Sequence, residues 1–112
     1  METMKKDITI LVVEDEYITY YAIKAALEKN GYSVLPIAPS GEEAISKAKE
    51  ASPDLVLMDI WLAGEMDGID AAGKIHEFST IPIIFLTAMA DNESIERAKT
   101  SNPYGYIIKH SA

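Results

Sequence analysis

The fold is decided by residues 8–15, whose sequence ITILVVED sets two acids directly after an apolar run. Three later runs repeat this arrangement, each followed by one polar residue: 55–58 before Asp59, 83–86 before Thr87, and 106–108 before Lys109. Short apolar runs with polar ends are typical of strands covered on both faces of a parallel sheet. The carboxyl ends of such strands meet at one crevice, where ligands bind. The sequence therefore predicts that these polar side chains lie together.

The segments between the runs have helical composition, so strands and helices alternate along the chain. The predicted helices cover residues 17–30, about 40–52, 68–78 and 91–100. An Asn30-Gly31 pair is a C-cap signal for the first helix, and Ser40 with Glu43 forms a capping-box pattern at the start of the second. Strand–helix alternation predicts a doubly wound α/β domain with a parallel sheet of five strands and right-handed crossovers.

A fifth strand is predicted at residues 32–38, and the runs that end at residues 86 and 108 belong to strands predicted at 82–86 and 104–108. Pro36 interrupts strand 32–38, and a proline cannot donate a hydrogen bond to a central ladder. We therefore expect strand 32–38 at an edge of the sheet.

Composition limits the classes of function. The 112 residues fit one domain and include no cysteine, which excludes disulfides and cysteine-ligated metals. No apolar stretch is long enough to span a bilayer, and the first seven residues lack a signal-peptide core, so we expect a cytoplasmic protein without membrane contact. The net charge of −8 disfavours direct nucleic-acid binding and favours a protein partner or a cation.

The residues that end the apolar runs suit phosphoryl chemistry. An aspartate can attack a phosphoryl group and hold it as an acyl phosphate, but its carboxylate must approach an anionic phosphorus centre. Mg²⁺ would reduce this repulsion, held by Asp15 and Asp59, with Glu14 acting through a water. Lys109 would neutralise one phosphoryl oxygen, and Thr87 would donate a hydrogen bond to another. Together these residues predict a phosphoryl site, because such transfer needs mainly positioning and charge stabilisation.

The chain resembles the receiver domain of two-component response regulators. The resemblance extends from residue 8 to residue 109 and rests on five motifs in order: Glu14-Asp15 after Leu11-Val12-Val13, Asp59 in Leu57-Met58-Asp59-Ile60, Asp67-Gly68, Thr87-Ala88, and Tyr106-Ile107-Ile108-Lys109. It implies the strand order 2-1-3-4-5, which agrees with the edge position expected from Pro36.

The resemblance also implies a role for each site residue. Asp59 would accept phosphate from a phosphohistidine on a sensor histidine kinase or a histidine phosphotransfer protein. Asp15, Asp59 and the backbone carbonyl of Trp61 would bind Mg²⁺, and Glu14 would act through a water on the metal. Thr87 and the aromatic Tyr106 would form the switch. Lys109 would pair with the phosphate. The domain would be a phosphoacceptor rather than an enzyme, would lose its phosphate slowly by itself, and would switch conformation to control an output partner.

Two features depart from the family pattern. His110 stands where the family usually has proline, and a cis peptide without proline costs ~3 kcal/mol, so we expect a trans bond. The family's fifth helix has no counterpart, so residues 1–112 are expected to be a single receiver domain shortened at its C-terminus. One sheet face would then be partly uncovered. This predicts self-association, such as a homodimer, or reduced stability.

Other interpretations remain open. Taken alone, residues 14–16 are an ordinary acidic turn, and only their joint placement with Asp59 and Lys109 favours a phosphoryl site. A phosphohydrolase of the haloacid dehalogenase type also uses a nucleophilic aspartate and Mg²⁺, but its first strand ends in Asp-x-Asp, whereas this one ends in Glu14-Asp15-Glu16. A degenerate receiver that binds proteins without phosphate is favoured by the two departures and opposed by the full set of site residues.

Overall fold

A parallel sheet forms the centre of the computed structural model, which describes residues 7–87, 96–97 and 105–108, with the backbone alone at 87 and 106–108. Its strands are Thr9–Val13 (β1), Ser33–Val34 (β2), Leu55–Asp59 (β3), Ile83–Thr87 (β4) and Gly105–Ile108 (β5). The helices are Tyr17–Lys29 (α1), Gly41–Ala51 (α2) and Gly68–His76 (α3), and residues 96 and 97 are also helical. The sheet order β2-β1-β3-β4-β5 confirms the predicted fold.

Helices cover both faces of this sheet, as a doubly wound fold requires. On one face, α2 and α3 pack on a cluster that includes Phe85 and Ile75, both with no exposed surface. On the other face, Tyr20 of α1 packs on a smaller cluster with Val12 and Leu57. The Tyr20 hydroxyl donates a hydrogen bond to the Leu35 carbonyl at 2.8 Å, so this buried polar group is satisfied.

The second strand lies at the sheet edge, as Pro36 predicts, but its predicted length was wrong. The ladder covers only Ser33 and Val34, and the chain returns to β1 through one isolated bridge between Val13 and Ala38. Leu35 and Ala38 still donate backbone hydrogen bonds to β1, at 3.0 and 3.3 Å. Pro36 has no N–H to contribute, so the regular pairing ends before it.

The helix ends follow the local signals, with small shifts. Gly31 follows α1 with a φ of 91°, the left-handed conformation of a C-terminal cap. Ser40 caps α2 by accepting a 3.2 Å hydrogen bond from the Glu43 N–H, which is one half of the predicted capping box. The helix predicted for 68–78 ends at His76, two residues early.

Several predictions fall partly or wholly on residues outside the described ranges. Of the helix predicted for 91–100, only residues 96 and 97 are described, and both are helical. The residues after β5 lie outside those ranges. The predictions about Lys109, the trans peptide at His110 and the missing fifth helix therefore stay predictions. Among the helices of the described residues, none has both the length and the apolar composition that a bilayer span requires.

Candidate functional site

Three carboxylates meet at the carboxyl ends of β1 and β3. Oxygen atoms of Glu14, Asp15 and Asp59 all lie within 4.8 Å of one another. Glu14 has no exposed surface and Asp59 is 4% exposed, whereas Asp15 is half-buried. The structure thus brings together the three acids that were predicted from the ends of two apolar runs.

Strand register is what places these acids side by side. Val13 pairs with Met58 across β1 and β3, so the residues that follow Val13 lie beside Asp59. On its other side Asp59 pairs with Leu86 of β4, and the next residue along β4 is Thr87. The central position of β1 and β3 in the sheet therefore fixes where the acids meet.

Each of the three carboxylates accepts a hydrogen bond from a backbone N–H. The Glu16 N–H donates to Glu14 at 3.2 Å, the Trp61 N–H donates to Asp59 at 3.1 Å, and the Ala63 N–H donates to Asp15 at 3.1 Å. The donors to Asp59 and Asp15 belong to the loop between β3 and α3, so this loop holds those two carboxylates in fixed orientations. The Ala63 contact joins residues 48 apart in sequence, and no local pattern predicted it.

The start of α3 rests directly on the backbone of Asp59. The Gly68 N–H donates to the Ile60 carbonyl at 2.8 Å, and a Cβ at position 68 would overlap the Asp59 carbonyl oxygen. Only glycine permits this approach. The predicted Asp67-Gly68 helix start is confirmed, and its glycine sets the distance between α3 and Asp59.

The cluster suits a divalent cation. Adjacent carboxylates repel one another, and a divalent cation held between them would reduce that repulsion. An all-oxygen set of carboxylates fits Mg²⁺, which prefers a few carboxylates and retained waters. Trp61 contacts the cluster through its N–H; metal binding by its carbonyl stays a prediction.

The other predicted site residues are only partly described. Thr87 is the last residue of β4 and pairs with Ile108 of β5, so its backbone lies at the same sheet end as the acids. Tyr106 lies within β5, paired with Phe85. Lys109 follows Ile108 directly in sequence but lies outside the described residues. The roles of these three side chains remain predictions.

Arg97, which binds the start of α3, was not predicted as a residue near the site. Asp67 caps α3 by accepting the Asp70 N–H at 2.9 Å, and Asp70 accepts the Asp67 N–H at 3.3 Å, which completes a capping box. Arg97 binds both carboxylates, at 2.9 Å to Asp67 and 3.5 Å to Asp70. The spacing of the two aspartates could have indicated the box, but nothing local indicated Arg97.

Asp67 is held in its charged form by these neighbours. Burial raises the pKa of this carboxyl, but the hydrogen bonds from the Asp70 N–H and from Arg97, with the positive charge of Arg97, outweigh burial. The pKa of Asp67 therefore lies below its usual value.

Comparison with protein families identifies the class to which this fold and site belong. Residues 10–112 match the response regulator receiver domain. This match covers nearly all of the chain, so the chain belongs to that family, the receiver domains of two-component signalling systems. The predicted resemblance is confirmed.

Individual relatives agree with this assignment. The chemotaxis protein CheY of Bacillus subtilis is 39% identical over 101 residues, which cover 89% of this chain and 83% of CheY. The transcriptional regulatory protein PdtaR of Mycobacterium tuberculosis is 35% identical over 100 residues, 89% of this chain and 48% of PdtaR. The chain thus spans about half the length of that regulator. The crystal structure of the signal receiver domain of a modulated diguanylate cyclase from Desulfovibrio desulfuricans superposes with a TM-score of 0.87 at 38% identity, covering 96% of this chain and 85% of the other.

Proposed function

We propose that this receiver domain accepts a phosphoryl group on Asp59 from a phosphohistidine, in a Mg²⁺-dependent reaction, and that the modified domain controls an output partner. The observation that carries the proposal is the buried cluster of Glu14, Asp15 and Asp59 at the carboxyl end of the sheet. Membership of the receiver family supports the same chemistry.

Asp59 suits the acceptor role by its position. It is the last residue of a central strand, and the Trp61 N–H fixes the rotation of its carboxylate. In the transfer, a P–O bond forms to an Asp59 oxygen while the P–N bond to the donor imidazole breaks. Attack by water on the acyl phosphate later releases inorganic phosphate and restores the carboxylate, which gives the slow loss of phosphate.

The residues around Asp59 supply charge and hydrogen bonds. Asp15 and Asp59, with Glu14 through a water and the Trp61 carbonyl, would hold Mg²⁺, which lowers the repulsion between the carboxylate and the phosphoryl oxygens. Lys109 would pair with one phosphoryl oxygen and Thr87 would donate a hydrogen bond to another. Movement of Thr87 would let Tyr106 swing inward, which would transmit the change.

A protein is the phosphodonor that best fits the surface near the site. The helix α1 begins two residues after Asp15 and exposes Tyr17 and Ile18, which are 56% and 88% exposed. Tyr21, further along the same helix, is 59% exposed, and several large exposed apolar side chains in one short segment favour a protein contact surface. A sensor histidine kinase or a histidine phosphotransfer protein would therefore deliver the phosphate. The net charge of −8 supports a domain that does not itself bind nucleic acid.

The test uses the chain with Mg²⁺ and acetyl phosphate. We expect intact mass analysis to find one phosphate adduct that is stable in acid and labile in base. Asp59→Asn should lack the adduct, because it removes the acceptor carboxylate. The exposed Asp7→Asn is the matched control and should keep it. Chelation of Mg²⁺ should also abolish the adduct.

The same assay separates the alternatives. Fast turnover of phosphomonoesters without a lasting adduct would indicate a hydrolase. Absence of both activities in a folded wild-type chain would indicate a degenerate receiver. An adduct that persists in Asp59→Asn would refute Asp59 as the acceptor.

A further inference from the structure

Arg97 joins two parts of the molecule that lie far apart in sequence. It is the only arginine of the chain. Its Nη1 lies 2.9 Å from Asp67 and its Nη2 lies 3.5 Å from Asp70, partners 30 and 27 residues away. The contact thus ties the helical residues that follow β4 to the first turn of α3.

The first turn of α3 is also the part of that helix nearest to the acceptor. Asp67 and Asp70 hold this turn by their capping box, and Gly68 between them touches the backbone of Asp59. A displacement of the turn would act on the Asp59 carbonyl and on the Gly68–Ile60 hydrogen bond. The orientation of the acceptor therefore depends on where this turn is held.

We infer that Arg97 is a positioning residue for the phosphoacceptor: by binding Asp67 and Asp70 it holds the start of α3 against Asp59. The inference rests on the proposed function, since it assigns a positioning residue to the same phosphoacceptor site. Arg97 does not itself belong to the acidic cluster of Glu14, Asp15 and Asp59. It acts through the capping box and through Gly68.

The chemistry of the contact favours arginine. A guanidinium has a planar set of donors that can bind two carboxylates at once, whereas a lysine ammonium is a point charge on a flexible stem. The Arg97 side chain is 42% exposed and that of Asp70 is 50% exposed, and ion pairs of this kind add little to overall stability. A marked effect of Arg97 on phosphorylation would therefore reflect positioning rather than folding.

The experiment compares wild type, Arg97→Gln, Arg97→Lys and the control Lys29→Gln, which removes a positive charge from the exposed end of α1. The first measurement is the initial rate of adduct formation with acetyl phosphate and Mg²⁺. The second is the emission of Trp61 during Mg²⁺ titration. Trp61 is the only tryptophan of the chain, and its backbone N–H donates to the Asp59 carboxylate, so the indole that it carries is a fluorescent probe next to the site.

We expect Arg97→Gln to slow adduct formation about three- to tenfold. This is less than the loss of activity that is usual when a group hydrogen-bonded to a metal ligand is removed. Its Trp61 emission should respond to Mg²⁺ differently from wild type. Its circular dichroism spectrum should be unchanged and its urea midpoint only slightly lower, because an exposed ion pair contributes little to stability. Arg97→Lys should recover part of the rate, and Lys29→Gln should equal wild type.

The inference is overturned if Arg97→Gln has the wild-type rate and Trp61 response, or if its rate falls only in proportion to the unfolded fraction. An equal loss in Lys29→Gln would overturn it too, because a general charge effect would then explain the rate. A wild-type chain that forms no adduct would refute the proposed function instead. The Trp61 response to Mg²⁺ would then decide the role of Arg97 alone.

Discussion

Gly68 lies where α3 meets the backbone of Asp59, and its lack of a side chain is what allows the contact. The neighbours of a Cβ built at this position would be the carbonyl of Asp59 and the side chain of Met58. A backbone carbonyl cannot rotate away as the end of a flexible side chain can. The residue therefore sets the distance between helix and acceptor.

Gly68→Ala should move the start of α3 away from Asp59. Overpacking of this kind costs about 1–3 kcal/mol, so we expect a loss of unfolding free energy in that range, measured by urea titration. Adduct formation on Asp59 should slow as well, because the acceptor backbone is displaced.

Gly73→Ala is the matched control in the same helix. A Cβ at Gly73 would meet no atom within 4 Å, so the change should raise stability by about 0.5–1 kcal/mol through helix propensity alone. Equal losses in both variants would contradict the contact with Asp59.

The three acids were predictable as single residues, whereas their partners were not. Glu14, Asp15 and Asp59 each end an apolar run, and that pattern is local. The N–H groups of Trp61 and Ala63, which orient Asp59 and Asp15, belong to a loop without a sequence signal. Their role depends on how the loop folds back over the strand ends.

At the scale of elements, α3 is held at its start by charge as well as by hydrogen bonds. Asp67 accepts from the Asp70 N–H and pairs with Arg97, and its lowered pKa follows from these contacts despite burial. The charged form of Asp67 is thus preferred in the folded state.

The Asp67 contribution to stability should therefore depend on pH. The folded pKa lies below the unfolded value of about 3.9, so the contribution is complete above that value and is lost as the pH falls through the folded pKa. The measurement is the difference in unfolding free energy between wild type and Asp67→Asn, at neutral pH and at about pH 3. Asparagine keeps one side-chain oxygen for the cap but has an amide in place of the oxygen that accepts from Arg97, so the variant removes the charge and the ion pair together while the cap is kept.

Wild type should be more stable than Asp67→Asn at neutral pH, and the two should converge in acid. A difference that stays constant over this range would show that the charge of Asp67 contributes nothing to folding.

The element β2 illustrates how far a local pattern extends. Pro36 correctly placed it at the sheet edge, since a proline cannot serve a central ladder. The apolar composition of residues 32–38 nevertheless predicted a longer strand than the two residues found. The composition of a segment indicates whether its residues favour an extended backbone. Whether that segment forms ladder hydrogen bonds with β1 depends on the path of the backbone after Pro36.

At the scale of the whole molecule, the two faces of the sheet can be compared at β4, where the described residues differ in burial. Ile83 and Ile84 are neighbours on β4, yet Ile83 is 1% exposed against α2 and α3, while Ile84 is only partly buried on the face of α1. Among the described residues, the larger cluster of buried side chains lies on the side of α2 and α3.

Alanine at these two positions should measure that difference. Ile83→Ala should cost about 2–5 kcal/mol, as is usual for a fully buried isoleucine, and Ile84→Ala should cost clearly less. Urea unfolding of both variants provides the test. Equal costs would mean that the two faces are buried alike.

The sequence by itself determined the α/β class, the sheet order through the family resemblance, and the identity of the acidic cluster. These follow from apolar runs and their polar ends, which each segment carries locally. Only the tertiary structure decided that Gly68 touches Asp59, that Ala63 orients Asp15, and that Arg97 binds the start of α3. Such contacts join atoms 9 to 48 residues apart, and no segment contains the information about which distant group it will meet.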